Sequence, residues 1–152
     1  MAAKPVPEGY HNVTPYLVID GAAKAIEFYT NAFGATELFR MEMGGGKLAH
    51  AEIKIGDSVV MLADAHPERG YKSVQAYGGS AIGLMIYLPG VDEVFKRAVA
   101  AGAIVKEDVN DKFYGDRSGT VQDPFGIFWT VATHVEDVSP EEMQRRMASM
   151  AA

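Results

Sequence analysis

The sequence contains no cysteine, which removes disulfide bridges, thiolate metal sites and cysteine nucleophiles together. It also lacks a basic excess: 14 Lys and Arg stand against 20 Asp and Glu, giving a net charge of −6. Nucleic-acid backbones are bound through clustered Lys and Arg, so no nucleic-acid partner is expected. No run of about 18 apolar residues is present to span a bilayer. The opening MAAKPVPEGY lacks the apolar centre of a secretory signal. The expectation is a cytoplasmic protein with no membrane partner. What remains is ordinary globular material, 48% hydrophobic and 22% charged over 152 positions, enough chain to bury a real core.

The order of elements repeats. An apolar strand candidate, VTPYLVI, precedes the helical pattern AAKAIEFYTNAFG, in which Ala22, Ile26, Tyr29 and Phe33 share a face and Gly34 holds the C-terminal cap position. ELFRMEM, the tight GGGK, LAHAEIKI, the turn GD and SVVMLAD then read as a three-stranded meander. After the Gly-rich, polar stretch HPERGYKSVQAYGGS, the strand AIGLMIYL, the helix VDEVFKRAVAAG, the strand AIVKEDV and a hairpin turning on DPFG give the same order again. Superposing AFGA on AAGA and SVVMLA on IFWTVA needs an offset of roughly 68 to 70 residues. The expected fold class is α+β, with two βαβββ modules forming a cupped mixed sheet and helices on its outer face. Residues 11–65 form the first module, 66–79 a linker and 80–135 the second module. Residues 139–150 should add a C-terminal helix, with Ser139 as N-cap, Glu142 as its capping-box partner, and Met143 and Met147 on one side.

The duplicated order, together with TPYLVIDGAAKAIEFY, HAEIKIGDSVVMLAD and YGDRSGTVQDPFG, resembles the vicinal oxygen chelate superfamily, also called the glyoxalase/bleomycin resistance/dioxygenase family. The resemblance is to its PhnB-like branch and covers residues 11–135. It implies a ligand held in the cup of the sheets, and often a homodimer. In metal-dependent relatives two His and two Glu hold a divalent ion, from the first and last strands of each module. Matching the landmarks puts Thr14, Met61, Gly83 and Thr130 at those positions. None suits a hard divalent ion, so no metal and no cofactor is expected. The branch pattern usually has His after DPFG; Ile127 stands there instead.

Strand alternation then assigns faces. A two-residue GD turn pairs Ile55 with Ser58, which sets Glu52 opposite Met61 and turns His50, Glu52 and Lys54 toward the cup. Phe128, Thr130, Ala132 and His134 should face it from the last strand, with Met85 and Tyr87 on the Gly83 face and Tyr16 two residues beyond Thr14. If the DPFG turn has four residues, Arg117 lies near Ala132 and joins them as the anchor for an anionic group. The expected ligand contacts are His50, Glu52, Met61, Met85, Tyr87, Arg117, Phe128 and Thr130, around a planar or amphipathic organic molecule. His50 and Glu52 are the candidate acid/base pair, or displaced metal ligands, of an alternative lyase, isomerase or dioxygenase activity. Arg117 has a second reading, as a lock on its own loop through Asp116. Trp129 reads as core, and His11, His66 and His134 as solvent-facing.

Overall fold

A computed structural model describes residues 3–150. The first copy of the repeat comprises β1 (Tyr16–Ile19), α1 (Ala22–Phe33), β2 (Thr36–Gly44), β3 (Lys47–Ile55) and β4 (Ser58–Asp64). The second comprises β5 (Gly83–Tyr87), α2 (Val91–Ala100), β6 (Ile104–Asp111), β7 (Asp116–Gln122) and β8 (Phe128–His134), followed by α3 (Pro140–Met150). The eight strands form two four-stranded mixed sheets, ordered β1-β4-β3-β2 and β5-β8-β7-β6. Tyr16 pairs with Met61 in the first and Met85 with Thr130 in the second, so the registers superpose at an offset of 69 (85 − 16 and 130 − 61).

The same offset governs how the helices start. Gly21 and Gly90 adopt left-handed φ values of 91° and 71° at the N-caps, and neither can offer a capping side chain. The last strand of each module supplies one instead. Asp64 Oδ1 accepts the backbone N–H groups of Gly21 at 2.8 Å and Ala22 at 3.2 Å. Thr133 Oγ1, 69 residues on, accepts that of Val91 at 3.1 Å. Each cap satisfies donors that a helix end leaves orphaned, and it fixes helix to sheet.

The helix-facing sides of both sheets share one core. Trp129 is 1% exposed, as its strand parity predicts, and lies 5.2 Å from the Tyr29 ring and 5.0 Å from the Phe33 ring of α1. Burial of such a side chain contributes roughly 1.5–3 kcal/mol. At its centre is the Asp of DPFG. Asp123 accepts hydrogen bonds from Tyr29 Oη at 2.7 Å, Trp129 Nε1 at 2.8 Å, and the Phe125 and Ile127 amides at 2.9 Å. Burial raises its pKa above the ordinary carboxylate range against those four donors. One carboxylate thus ties α1 of the first module to the last hairpin of the second. Close approach also explains Gly119, where a Cβ would lie 2.7 Å from the Phe95 ring of α2.

The C-terminal helix carries half of the expected capping box. Ser139 Oγ accepts the Glu142 amide at 3.2 Å. The Glu142 carboxylate turns instead to Arg145 and Arg146. Among the described residues, no helix is long and apolar enough to cross a membrane.

Candidate functional site

The GD turn sets the first hairpin as expected: Ile55 pairs with Ser58, Lys54 with Val59 and Glu52 with Met61. Ala51 and Ile53 are fully buried in the core, so His50 and Glu52 face the other way. There they join a four-residue hydrogen-bonded chain. Tyr10 Oη donates to Glu52 Oε2, Glu52 Oε1 lies 3.0 Å from His50 Nε2, and His50 Nδ1 lies 2.9 Å from Tyr16 Oη. With Glu52 ionised and the imidazole neutral, Nε2 carries the proton and Nδ1 accepts the Tyr16 hydroxyl, the one neutral tautomer in which every contact has a donor and an acceptor. The Tyr10 hydroxyl and then His50 hold the Glu52 carboxyl below its ordinary range. Desolvation raises Tyr16. A carboxylate that orients an imidazole, which in turn bonds a phenol, is equipped to move a proton at the phenol oxygen.

Tyr16 also opens onto a cavity of about 460 Å³, lined by Val18, Ala63, His66, Arg69 and Tyr71 among others. His66 was expected to face only solvent. It bonds Glu68 at 2.8 Å and forms part of the cavity wall, because the segment after β4 folds back over the sheet. A larger cleft of about 630 Å³ lies between the modules, where Thr14 and Val59 of the first approach Met85 and Tyr87 of the second.

On the second sheet, Met85 pairs with Thr130, Gly83 with Phe128 and Tyr87 with Ala132. Thr130 Oγ1 is bonded to Thr120 Oγ1 at 3.0 Å. Tyr87 Oη donates to buried Asp116 at 2.7 Å. Asp116 also binds His134 Nδ1 at 2.7 Å, while His134 Nε2 reaches Asp137 at 3.0 Å. Asp116, and then Asp137, raise the His134 pKa. His134 is therefore a bridge between two carboxylates, not a simple solvated end, and His11 lies 3.7 Å from Asp57.

Arg117 requires a correction. Gln122 pairs with Phe128, leaving Asp123 to Ile127 in the loop, so the turn has five residues where four were expected. That single extra residue sets Arg117 opposite Thr133, not near Ala132, and a one-residue slip reverses the face. Arg117 lies on the helix side, with Nε and Nη2 on Asp92 of α2 at 2.9 and 2.8 Å and Nη1 on Asp111 at 3.0 Å. The alternative lock through Asp116 is not formed either, since the Asp116 oxygens serve Tyr87 and His134.

The side chains at the four family ligand positions do not fit a divalent metal. Met61 offers only a thioether, Gly83 offers nothing, Thr130 is bonded to Thr120, and the Thr14 hydroxyl points at the His11 carbonyl at 3.4 Å. Among the described residues, no group of three or more His, Cys, Asp or Glu is placed to hold an ion. Sequence patterning located His50 and Glu52 but missed Tyr10, His66, Arg69 and Tyr71. Tyr10 precedes the first strand, outside any period. The other three lay in HPERGY, whose aromatic and basic content was the only signal.

Comparison with known proteins agrees with the fold. The model of the Glyoxalase/Bleomycin resistance protein/Dioxygenase superfamily matches residues 10–131. A Mycobacterium bovis protein is 41% identical over 140 residues, covering 90% of this chain and 92% of its own. TioX from Micromonospora superposes with a TM-score of 0.64 at 25% identity, over 85% of this chain and all of its own (100%). The PhnB protein of Bacillus cereus, at 20% identity and a TM-score of 0.61 over 81% of this chain and 99% of its own, shares the fold. The chain belongs to the glyoxalase/bleomycin resistance protein/dioxygenase superfamily.

Proposed function

We propose that this protein binds a planar or amphipathic organic molecule on the face of its first sheet, without a metal ion. The observation that carries this reading is the seat of Tyr16, whose ring lines the cavity while its hydroxyl bonds His50. A cavity of about 460 Å³ falls within the roughly 300–1,000 Å³ usual for small-molecule sites. The chemistry of Thr14, Met61, Gly83 and Thr130 supports metal-free binding. Of the contacts expected from the sequence, none lines this cavity: Met85 and Tyr87 line the larger cleft between the modules, and Met61, Phe128 and Thr130 line neither.

The active form in this reading is a homodimer. Tyr16, Met85 and Tyr87 are 49%, 44% and 58% exposed in the single chain. Large apolar side chains on the faces of open sheets are the kind of surface a second copy covers.

A second reading, an enzyme of the lyase or isomerase kind, is favoured by the Glu52–His50–Tyr16 chain. There Tyr16 Oη exchanges the proton, His50 relays it and Glu52 sets the tautomer. Mass spectrometry of the gently purified, then denatured, protein identifies a retained molecule, which is returned to wild type and to Ala63→Phe. Loss of binding on filling the cavity supports the reading. Unchanged affinity in Ala63→Phe, or stoichiometric Zn, Mn, Ni or Fe in the protein, refutes it. Conversion of the molecule, lost in Tyr16→Phe, selects the enzyme.

A further inference from the structure

One wall of the Tyr16 cavity comes from the segment that joins the modules. Pro67–Arg69 form a 3-10 turn, and His66 and Tyr71 exchange backbone hydrogen bonds of 2.8 and 3.1 Å, which closes a small loop. The loop is tied to the first sheet. The Val74 amide donates to the Val18 carbonyl at 3.0 Å, and the Ser73 hydroxyl to Asp20 at 2.6 Å. His66, Arg69 and Tyr71 are thereby set against Tyr16, Val18 and Ala63 around the cavity.

The charges around this cavity are unevenly satisfied. Elsewhere in the chain Arg40, Arg117, Arg145 and Arg146 each hold a carboxylate, and Arg97, like Arg69, holds none among the described residues, but only Arg69 lines the cavity. Among the described residues, Arg69 has no carboxylate within ion-pair distance. Its neighbour Glu68 is engaged by His66. Asp64, the carboxylate on the cavity wall, spends Oδ1 on the Gly21 and Ala22 amides and Oδ2 on the Leu48 amide at 2.7 Å. A planar fork of donors therefore stands uncommitted beside two tyrosine rings and aliphatic surface, in a chain whose net charge is −6.

We propose that Arg69 is the anion anchor of this cavity, and that the cavity takes flat aromatic molecules carrying a carboxylate- or sulfonate-type group. The inference rests on the reading that the Tyr16 cavity is the ligand site, and it assigns that site a ligand class. Tyr16 and Tyr71 cover the faces of the apolar body, and the guanidinium at the exposed rim meets the charge.

Two fluorescent probes separate the contributions. 8-Anilinonaphthalene-1-sulfonate carries an anion on an aromatic body, and N-phenyl-1-naphthylamine is the same body without it. Each is titrated into the full chain as wild type, Arg69→Ala, Arg69→Lys and Ala63→Phe. Arg69→Ala should weaken the sulfonate by about 10- to 100-fold, as expected for a lost hydrogen bond to a charged group, and leave the neutral probe within about twofold. Arg69→Lys should restore only part of the loss. An unchanged sulfonate affinity in Arg69→Ala, or equal weakening of both probes, overturns the anchor. If Ala63→Phe abolishes both probes while Arg69→Ala changes neither, the cavity stands and the anchor falls. If Ala63→Phe leaves both bound, or neither binds wild type saturably, the cavity reading falls with it.

Discussion

Removing the Tyr29 hydroxyl, which is buried in the core and does not line the cavity, should unsettle the joint between the modules. Its partner Asp123 is 2% exposed and accepts four hydrogen bonds, from Tyr29, Trp129 and the amides of Phe125 and Ile127. Tyr29→Phe deletes one donor and leaves the carboxylate three. A hydrogen bond to a charged group contributes about 1.5–3 kcal/mol. For a chain of 152 residues, each kcal/mol moves Tm by roughly 2–4 °C, so the expected fall is about 3–12 °C. Asp123→Ala is more severe, because it leaves two buried side-chain donors and two buried amides without their acceptor. That should cost about 4 kcal/mol or more, a large part of a total stability of roughly 5–15 kcal/mol. Guanidinium unfolding read as the midpoint at constant m-value measures both. In the double variant, Tyr29→Phe should cost far less than it does alone, since its partner is already gone. A loss below about 0.5 kcal/mol for Tyr29→Phe, or strictly additive effects, would show that this carboxylate does not join the modules.

The polar chains give opposite pH signatures. Glu52 has a depressed folded pKa, so the stability it contributes is present above the ordinary value of 4.5 and is lost as pH falls through the folded one. The Tm gap between wild type and Glu52→Gln should therefore close on acidification below about that point. His134 is raised above 6.5, so its contribution is complete below that value and disappears as pH rises through the folded pKa. The Tm gap between wild type and His134→Gln should be widest near pH 6 and absent in alkaline buffer, and a flat difference across that range would remove His134 as a charged bridge. Gly119→Ala should cost about 1–3 kcal/mol in chemical denaturation, because Phe95 must yield to the new methyl group. Arg117→Ala should leave probe affinity unchanged and lower Tm by no more than about 4 °C, as expected of an exposed pair with Asp92 and Asp111. Light scattering at micromolar concentration should give the mass of two chains.

The sequence by itself determined the elements and the faces wherever a local rule closed the argument. Two residues between strands leave one register, so GD alone placed Glu52 opposite Met61 and sent His50 and Glu52 to the same face. Period-two alternation put Trp129 in the core. Where a loop admits two lengths, the same rule loses its force: Asp123 turns inward to bind its own loop amides, the hairpin takes five residues where four were expected, and Arg117 changes face. What only the tertiary structure decided are contacts between segments that no periodicity relates. Tyr10 reaches Glu52 across 42 residues and Tyr87 reaches Asp116 across 29. The segment read as a linker folds back through the Val74–Val18 hydrogen bond and brings His66, Arg69 and Tyr71 to the cavity. Alternation reports which side of its own strand a residue occupies; it carries no information about which distant loop will come to face it.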